Sequence, residues 1–568
     1  MMNRINIYKS LVLILFFSSV SLVRSQTNMN DINFQAESEF QPTIKDAVKF
    51  TELPEIRDTV HRITNANYAI TSRPMFPKYE VSPINAAKMQ NEPLTKLYHS
   101  LIKVGYGPIY NMPYGEVWMN STRSRDMAYG VHYKHFSSMS QLQDVGYSGF
   151  SDNEAELFGK KFYKKHTLTG EFNYKRNVMH YYGFDTINKI TDKDFTKQRF
   201  QLFEPKITLQ SHYTDSSKIN HLIQLSYYNL TDLFYANENN VKLKTDLSTY
   251  IQKESFHVNV LADYYNHKQP SDTSSDFIFS LNPYFEANGK KWHADLGVTA
   301  TADVYNDTKF YFYPQINAHF NVYENIIIPY AGVSGGLQKN SYRSLSNENP
   351  FVRPDLELKN THNKFNVFAG LRGNLSSSTS YDAAVKWGFY DNMHFFLIDY
   401  ATDQNQLDNK FKVTYVNAEL LTVSGSVKYQ YKEKIHFVAK GNYYGYSLNT
   451  TDSLSTALFT KPFHKPNYDL TLSALYNLKS KIIIKADIFA IGSQWALTKD
   501  VETGNTITYK PLLLKGLVDC NLGAEYRYSK MLSFFVNFNN IANMRYMRWE
   551  KYPTQRFNMM LGLTFVPF

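Results

Sequence analysis

The chain has 568 residues, of which 44 are Tyr, 40 are Phe and one is Cys. A mean hydropathy of −0.42 is too polar for a bundle of membrane helices, and the aromatic content is too high for a disordered chain. The single cysteine excludes a disulfide framework and a cysteine zinc site, and a net charge of +10 spread along the chain gives no indication of nucleic-acid binding.

The first 25 residues have the pattern of a cleaved export signal. Arg4 and Lys9 are positive, and residues 11–23 form an apolar run that is too short to span a bilayer as a helix. We therefore expect residues 1–25 to be a signal peptide and the exported chain to begin at Gln26. No later apolar run approaches the ~18 residues of a membrane helix, so an exported chain that enters a membrane must do so as a closed β-barrel.

Residues 26–96 alternate only weakly and contain recurrent prolines, including Pro42, Pro54 and Pro77. Proline removes a donor from a strand ladder and favours extended backbone. We predict an extended periplasmic or luminal segment with a short helix near residues 83–90. Because extended, proline-containing arms suit strand addition or groove binding, this segment is also a candidate docking arm for a periplasmic or outer-membrane partner protein.

From residue 97 to residue 568 the sequence reads as consecutive strands with a period of two. In LSFFVNFN (residues 532–539), Leu, Phe, Val and Phe occupy one face, and Ser, Phe, Asn and Asn occupy the other. Runs of about ten such residues match tilted membrane strands, apolar toward lipid and polar toward the lumen, whereas strands of soluble sandwiches are nearer six residues. We predict an all-β, transmembrane antiparallel outer-membrane barrel of about 22 strands, within a range of about 18–24.

Longer polar connections interrupt this pattern at residues 338–361, 447–467 and 497–511. In bacterial barrels short turns are periplasmic and long loops are extracellular, where specificity usually resides. The alternation also places charges on the luminal face, mixed in sign, so that no ion preference follows. These candidate luminal residues are Asp469, Lys485, Asp487, Asp519, Glu525 and Arg527.

Nothing in the sequence favours catalysis. Residues 332–336 (GVSGG) fit the G-x-S-x-G hydrolase pattern, but that motif requires a strand–turn–helix elbow, and here it lies inside a predicted strand, where glycines mark bends or close approaches. His132 and His135 fall on opposite faces of a strand because their separation is odd, which makes them poor partners for a metal ion. We expect no enzyme activity, no catalytic residue, no metal site and no cofactor.

The last strand of the sequence has to pair with the first strand, because closure is what removes the free edges of a membrane barrel. It resembles the terminal aromatic strand that the outer-membrane barrel assembly machinery reads in bacterial barrels. The residues expected to form this barrel-closing strand are Phe557, Leu561, Leu563, Phe565 and Phe568.

Residues 534–568 as a whole resemble the C-terminal two strands of TonB-dependent receptor barrels. There an N-I-x-N-x-x-Y-like turn is followed by a Pro, an Arg and a G-L-x-F strand. The stretch NPFVRPDLELKNTHNKFNVFAGLRGNL (residues 349–375) is similar to the segment of these receptors in which an N-P-x-L-x-P-like extracellular stretch enters a strand. The matching C-terminal residues here are Asn540, Ile541, Asn543, Tyr546, Pro553, Arg556, Gly562, Leu563 and Phe565.

This resemblance covers residues 97–568 and implies the outer membrane of a Gram-negative bacterium, with outer-membrane lipid and the barrel assembly machinery as partners. Such receptors carry an N-terminal plug inside the barrel, but residues 26–96 are too few for it and lack its Gly-rich pattern and a convincing TonB box. The chain therefore resembles a plugless relative of the type found in Bacteroides-group bacteria.

The function expected from this resemblance is transport of a solute across the outer membrane. The alternative is a structural or assembly role in an outer-membrane protein complex, with residues 26–96 as the docking arm. Apolar residues on luminal faces, such as Phe535, favour an occupied lumen, but packing against inward-facing neighbours explains them equally well.

Overall fold

The computed structural model of the chain describes most of residues 97–567. The ranges outside this description are residue 123, residues 187–191, residues 252–253, residue 306, residues 401–405, residues 450–459 and residues 504–505. The predicted signal peptide, the 26–96 segment with its predicted helix, and Phe568 also lie outside the described residues.

The chain is built almost entirely of strands. Strands β1 to β13 are, in chain order, Ser100–Gly107, Met112–Asn120, Met127–Ser138, Phe150–Phe162, His166–His180, Lys197–Ser211, Asn220–Thr231, Asn237–Ile251, Glu254–Lys268, Thr273–Asn288, Trp292–Val304, Thr308–Phe320 and Ile328–Gln338. Strands β14 to β26 are Thr361–Ser376, Thr379–Ile398, Phe411–Tyr431, Ile435–Asn449, Tyr468–Leu478, Ile482–Ile491, Gln494–Thr503, Thr506–Leu514, Leu517–Arg527, Leu532–Asn539, Met547–Trp549, Tyr552–Pro553 and Asn558–Phe565. Helices α1 and α2 are Lys193–Thr196 and Tyr342–Glu348.

Over the described residues, 22 of these strands form one antiparallel sheet. Strands β1 to β19 pair in chain order and are followed by β22, β23 and β26. Strand β26 pairs back with β1, with Ile102 opposite Phe565 and Tyr106 opposite Leu561. The sheet is therefore a closed barrel without free edges, and the prediction of an antiparallel barrel of about 22 strands is confirmed.

The outward face of the barrel is apolar, as the two-residue period requires. In β22, Val518 and Leu522 point outward and are 49% and 39% exposed, whereas Asp519 on the opposite face is 8% exposed. The same contrast recurs in β26, where Leu561 and Leu563 are exposed and Met560 is buried. An apolar outward face of this kind suits hydrocarbon rather than water.

The two ends of the barrel differ in the length of their connections. Short turns, such as residues 163–165 and 479–481, lie at the end where β1 begins and β26 ends. We call this the turn end. The opposite end, the loop end, carries the long connections, which include residues 139–149, 181–196, 339–360, 399–410, 450–467, 492–516 and 540–557.

The connection predicted as a polar loop at residues 497–511 is in part regular structure. It contains the hairpin β20–β21, whose register runs from Gln494 opposite Leu514 to Thr503 opposite Thr506. The alternating pattern continues there, but the hairpin belongs to a separate two-stranded sheet and not to the barrel wall. Among the described helices, none has the length and apolar character needed to cross a membrane.

The seam between β26 and β1 leaves no room for a side chain at Gly562. This residue lies opposite Gly105, and the Phe535 ring of β23 covers both glycines. A Cβ atom added at Gly562 would overlap the Phe535 ring and the carbonyl oxygen of Val104. We expect Gly562→Ala to destabilise the barrel by about 1–3 kcal/mol, which heat-modifiable migration on SDS gels would show as a lower unfolding temperature.

The control for this substitution is Gly425→Ala in β16, where an added Cβ meets no described atom within 4 Å. We expect that variant to migrate as the wild type does. Equal losses in the two variants would mean that strand glycines matter generally, and not through close packing at the seam.

Candidate functional site

The connection 339–360, which we call the lid loop, contacts both the barrel wall and other connections at the loop end. It contains helix α2, which begins with a capping box: Ser344 N donates to Ser341 Oγ at 3.1 Å, and Ser341 N donates to Ser344 Oγ at 2.9 Å. The two ends of the loop are tied together because Asn340 Nδ2 donates to the Lys359 carbonyl oxygen at 2.8 Å. The lid loop is therefore a folded unit and not an extended tether.

Charged contacts attach the lid loop to the inner wall of the barrel. The Arg343 guanidinium binds the Glu204 carboxylate of β6 with two hydrogen bonds of 2.8 and 2.9 Å. Lys339 forms an ion pair with Asp276 of β10. Asn360 donates to Asp276 at 2.9 Å and to Asp303 of β11 at 3.1 Å. Paired, charge-assisted hydrogen bonds of this kind are the stronger and more geometrically specific ones.

Tyr342 is the deepest anchor of the lid loop, with no exposed surface. Its hydroxyl donates to Asp232 Oδ2 at 2.9 Å, and its backbone N–H donates to Glu238 Oε2 at 2.7 Å. Burial raises the pKa of the Asp232 carboxyl, and the hydrogen bonds from Tyr342 and Gln198 oppose that shift. The wall thus supplies acceptors that match the donors of the lid loop.

An apolar cluster joins the lid loop to strands nearly opposite each other in the 22-stranded ring. Phe351 of the lid loop stacks on Tyr552 of the connection 540–557, with ring centroids 3.6 Å apart. Because β6 and β16 both contribute, the cluster must cross the mouth of the barrel. Each large apolar side chain buried there contributes about 1.5–3 kcal/mol. Members of the cluster include Phe200, Leu202, Tyr342, Leu345, Phe351, Leu356, Phe411, Val413, Trp549 and Tyr552.

Backbone pairing extends this contact to the top of β16. The Phe411 N–H donates to the Phe351 carbonyl oxygen at 2.9 Å, and the Arg353 N–H donates to the Phe411 carbonyl oxygen at 2.8 Å. The Tyr181 hydroxyl donates to the Val352 carbonyl oxygen at 2.8 Å. We use the name mouth cap for the lid loop together with the described residues of the connections 399–410 and 540–557. They meet the lid loop in the ion pair of Arg353 with Asp399 and in the stacking of Phe351 on Tyr552.

Strands β15 and β16 rise beyond the apolar outward face to meet the mouth cap. Consecutive residues Phe395 and Phe396 of β15 are both fully buried, so both faces of the strand are covered there. Phe396 packs in the cluster described above, and Phe395 packs in a second cluster with Phe463 and Leu497. Phe463 of the connection 450–467 and Leu497 of β20 therefore support these two strands from the other side.

A buried charged triad links the lid loop to β15 and to the connection 450–467. Glu348 accepts hydrogen bonds of 2.7 Å from both His394 and Lys465. Burial favours the neutral acid, but the charges of Lys465 and His394 and their hydrogen bonds outweigh it and hold the pKa of Glu348 well below its usual range. Removing Glu348 would leave the Lys465 ammonium, on a side chain that is 9% exposed, without its counter-charge, which is strongly destabilising.

The C-terminal motif residues organise the connection 540–557. Asn540 has a φ of 49°, in the left-handed region, and is 3% exposed. Its side chain accepts from Met544 N at 3.0 Å and donates to the carbonyl oxygens of Met544 and Gln555 at 2.8 and 3.1 Å. Asn543 also has a positive φ, and its side chain accepts from Phe557 N at 3.3 Å.

We expect Asn540→Ala to loosen this connection by about 2–4 kcal/mol, because it strains a left-handed residue and leaves buried backbone groups unpaired. Protease protection of residues 540–557 would measure the loss. The matched control is Asn543→Ala, which has a similar backbone conformation but a single long hydrogen bond, so a smaller loss is expected. Equal losses would contradict the argument from hydrogen bonding.

The remaining motif residues occupy different places. The Tyr546 hydroxyl donates to Asp519 Oδ2 at 2.9 Å, which brings a motif residue and a candidate luminal residue together. The Pro553 carbonyl oxygen accepts from the Tyr182 hydroxyl at 3.0 Å, and the Arg556 N–H donates to the Tyr110 hydroxyl at 3.1 Å. These contacts hold the connection 540–557 in the mouth cap and against the wall.

The six candidate luminal residues lie on the face opposite to the exposed apolar side chains of their strands, but they do not form one site. Asp469 accepts from Asn442 at 2.8 Å, and Asp487 accepts from Ser473 at 2.6 Å. Arg527 Nε lies 3.6 Å from Glu525 Oε1, and the Lys485 side chain is exposed. Such local pairs make this part of the wall polar.

The residues expected at the barrel-closing strand lie where β26 meets its neighbours. Leu561, Leu563 and Phe565 pair with both β1 and β23. Phe557 precedes the strand, and its ring is stacked 6.3 Å from that of Phe538. The luminal Phe535 packs in a small cluster with Met112 and Met560, so packing against inward-facing neighbours accounts for it.

The G-x-S-x-G stretch and the pair of histidines, His132 and His135, lie within strands of the barrel wall. The stretch GVSGG is part of β13, and the register shifts there between Ser334 and Gly336, as in a bulge. His132 stacks on Trp118 and contacts Glu116 at 3.2 Å, whereas His135 contacts Asn153. Within the part of the chain that the structure describes, no group of three or more His, Cys, Asp or Glu residues could hold a metal ion.

The sequence analysis did not predict the wall carboxylates that bind the lid loop. Glu204, Glu238 and Asp276 each lie on the luminal face of a strand near its loop end, so the alternation alone could have placed them in the lumen. Their partners Lys339 and Arg343 lie in a connection read only as a polar loop. The pairs are separated by up to 139 residues in sequence, and local patterns cannot join them.

No family model and no curated protein matches the chain. Solved structures do match in fold. The pyoverdine outer-membrane receptor FpvA from Pseudomonas aeruginosa PAO1, bound to pyoverdine, superimposes with a TM-score of 0.61 at 12% identity over 84% of this chain and 79% of that one. A ferric enterobactin receptor variant (PfeA) from P. aeruginosa in complex with enterobactin gives 0.62 at 12% identity over 82% and 81%.

The siderophore receptor PirA from P. aeruginosa gives a TM-score of 0.57 at 10% identity over 83% of this chain and 80% of that chain. At such identities the likeness shows the fold alone, a closed antiparallel barrel, which here has 22 strands over the described residues. The resemblance first seen in the sequence therefore extends to the fold.

Proposed function

We propose that the chain is a transport barrel in the outer membrane of a Gram-negative bacterium and that the lid loop is its gate. The observation that carries the proposal is the docking of residues 339–360 on inward carboxylates of β6, β10 and β11. A barrel of this size has a wide lumen that is normally filled. Apolar packing closes the mouth, and the ionic contacts, which water or a charged ligand can replace, provide a way to release the lid loop from the wall.

The likeness in fold to siderophore receptors supports transport as the general function. In this proposal the chain is a plugless relative of such receptors, since residues 26–96 are too short for a receptor plug, and the mouth cap takes over the closing role. Outer-membrane lipid surrounds the apolar outward face, and the barrel assembly machinery inserts the chain through its terminal strand. The luminal wall, with local pairs such as Glu525 and Arg527, suits a polar solute.

Conductance in planar bilayers tests the proposal. We would compare the exported chain, residues 26–568, with a chain that begins at residue 97. Both are expected to be closed, because both retain the lid loop. A large pore that opens on truncation alone would make residues 26–96 the plug and would contradict the gating role of the lid loop.

The alternative is a structural or assembly role in an outer-membrane complex, with the proline-containing arm of residues 26–96 docking a partner by strand addition or groove binding. Affinity purification of the two chains separates these functions. A protein that co-purifies only with the longer chain, while no lid-loop variant conducts, would favour the assembly role.

A further inference from the structure

The wall that holds the lid loop is acidic where the loop touches it. The carboxylates come from four strands, β6, β8, β10 and β11, and all face the lumen. Three of them are almost completely covered, with Glu238 at 0%, Asp276 at 4% and Asp303 at 8% exposure. Together with Glu204, whose side chain is 22% exposed, they form what we call the acidic wall.

The positive partners of the acidic wall come from the lid loop. Arg343 neutralises Glu204 through two hydrogen bonds, and Lys339 neutralises Asp276. The neighbouring wall cation Lys242 is paired with Asp263 at 2.8 Å. When the lid loop leaves, the acidic wall therefore loses its counter-charges, and its unpaired carboxylates attract other cations.

The segment Lys339–Arg343 (KNSYR) occupies the acidic wall as a peptide ligand would. Two cations, four residues apart, bind two carboxylates, and the Tyr342 side chain between them fills a fully buried site with its hydroxyl on Asp232. The Tyr342 backbone N–H donates to Glu238. An aromatic site and an acceptor for a backbone N–H distinguish a peptide from a simple polyamine.

We propose that the acidic wall is a binding site for a basic oligopeptide and that residues 339–343 are its built-in occupant. This inference rests on the lid loop opening as proposed above. A ligand of this class competes with the segment for the same carboxylates, so its apparent affinity is reduced by the fraction of closed protein. It also stabilises the open state, because it binds only there.

The test is calorimetric titration of the full exported chain in detergent. The probe is the capped peptide Lys-Asn-Ser-Tyr-Arg, and the comparison ligands are the same peptide with Gln at both cationic positions and spermine. In the variant Lys339→Gln/Arg343→Gln the internal occupant is weakened. We expect the probe to bind this variant about tenfold or more tightly than the wild type, with an affinity that falls as salt is added.

The control variant is Lys359→Gln, which removes a cation of the same loop whose side chain is 47% exposed and paired with Glu357. It should bind the probe as the wild type does. Adding Glu204→Gln/Asp276→Asn to the double variant should abolish binding. If that quadruple variant does not fold, the comparison of the probe with the Gln-substituted peptide still tests the inference, because it requires no substitution in the wall.

Equal binding of the Gln peptide, or spermine binding as tight as the probe, would overturn the inference. Conductance measurements on the same variants distinguish failure of the binding site from failure of the proposed transport function. Probe binding in a chain whose lid-loop variants never conduct supports the site and counts against transport. Conductance without probe binding overturns the site alone.

Discussion

Replacing residues 344–358 of the lid loop with a short Gly-Ser linker is expected to convert a closed barrel into a steady, large pore. The change removes Leu345, Phe351 and Leu356 from the apolar cluster that crosses the mouth. It leaves the wall strands intact, since β13 ends at Gln338 and β14 begins at Thr361. Single-channel recording in planar bilayers would show the change directly.

The control is a chain in which residues 500–508, at the tip of the β20–β21 hairpin, are shortened by the same means. That hairpin lies at the loop end but belongs to a separate sheet, so the control should stay closed. We would make both changes with and without residues 26–96. If the shortened lid loop leaves the barrel closed in both backgrounds, the lid loop is not the gate.

Lowering the pH from 7.5 to 4.5 is expected to weaken the mouth cap by about 3 kcal/mol through His464. This residue is 1% exposed and packs against Phe411 and Trp549, with ring centroids 5.2 and 5.3 Å away. Burial, with the nearby charge of Lys465, lowers its pKa to about 3. Below about pH 6.5 the opened state binds a proton that the closed state does not, so stability falls as the pH falls.

Glu348 does not contribute to this loss in the same range. Its lowered pKa stabilises the closed state above the ordinary value of about 4.3 for a glutamate, and that contribution is lost only as the pH falls further. Hydrogen exchange of residues 339–360 and 540–557, measured at pH 7.5, 6 and 4.5, would follow the opening of the mouth cap.

The variant His464→Asn should flatten this pH dependence, because Asn cannot be protonated and tolerates the positive φ of 53° found at this position. His212→Asn, at the turn end, is the matched control and should keep the wild-type slope. An unchanged slope in His464→Asn would show that another group couples the mouth cap to pH.

The architecture was predictable because its signal is local. A strand between lipid and lumen must alternate every two residues, and stretches such as residues 532–539 show this without reference to any other part of the chain. Strand number followed from counting such runs. The hairpin β20–β21 was missed because its residues were read as one polar connection, although the pairing across it is regular.

The candidate site was predictable only in part. The alternation puts Asp519 and Glu525 on the luminal face, and the C-terminal motif identifies Asn540 as a turn residue. Neither pattern says that Tyr546 binds Asp519 or that Asn540 joins two ends of one connection. Those contacts depend on how the connections fold over one another.

By itself, then, the sequence determined a closed barrel, the lipid-facing side of the strands that alternate clearly, and the positions of three of the seven long connections. Only the tertiary structure decided that residues 339–360 fold back onto the wall, because that contact pairs Arg343 with Glu204 across 139 residues. Each strand alternates with a period of two because one of its faces meets lipid and the other meets the lumen. The docking of a loop is imposed by complementary charge and shape that exist only once the barrel has closed.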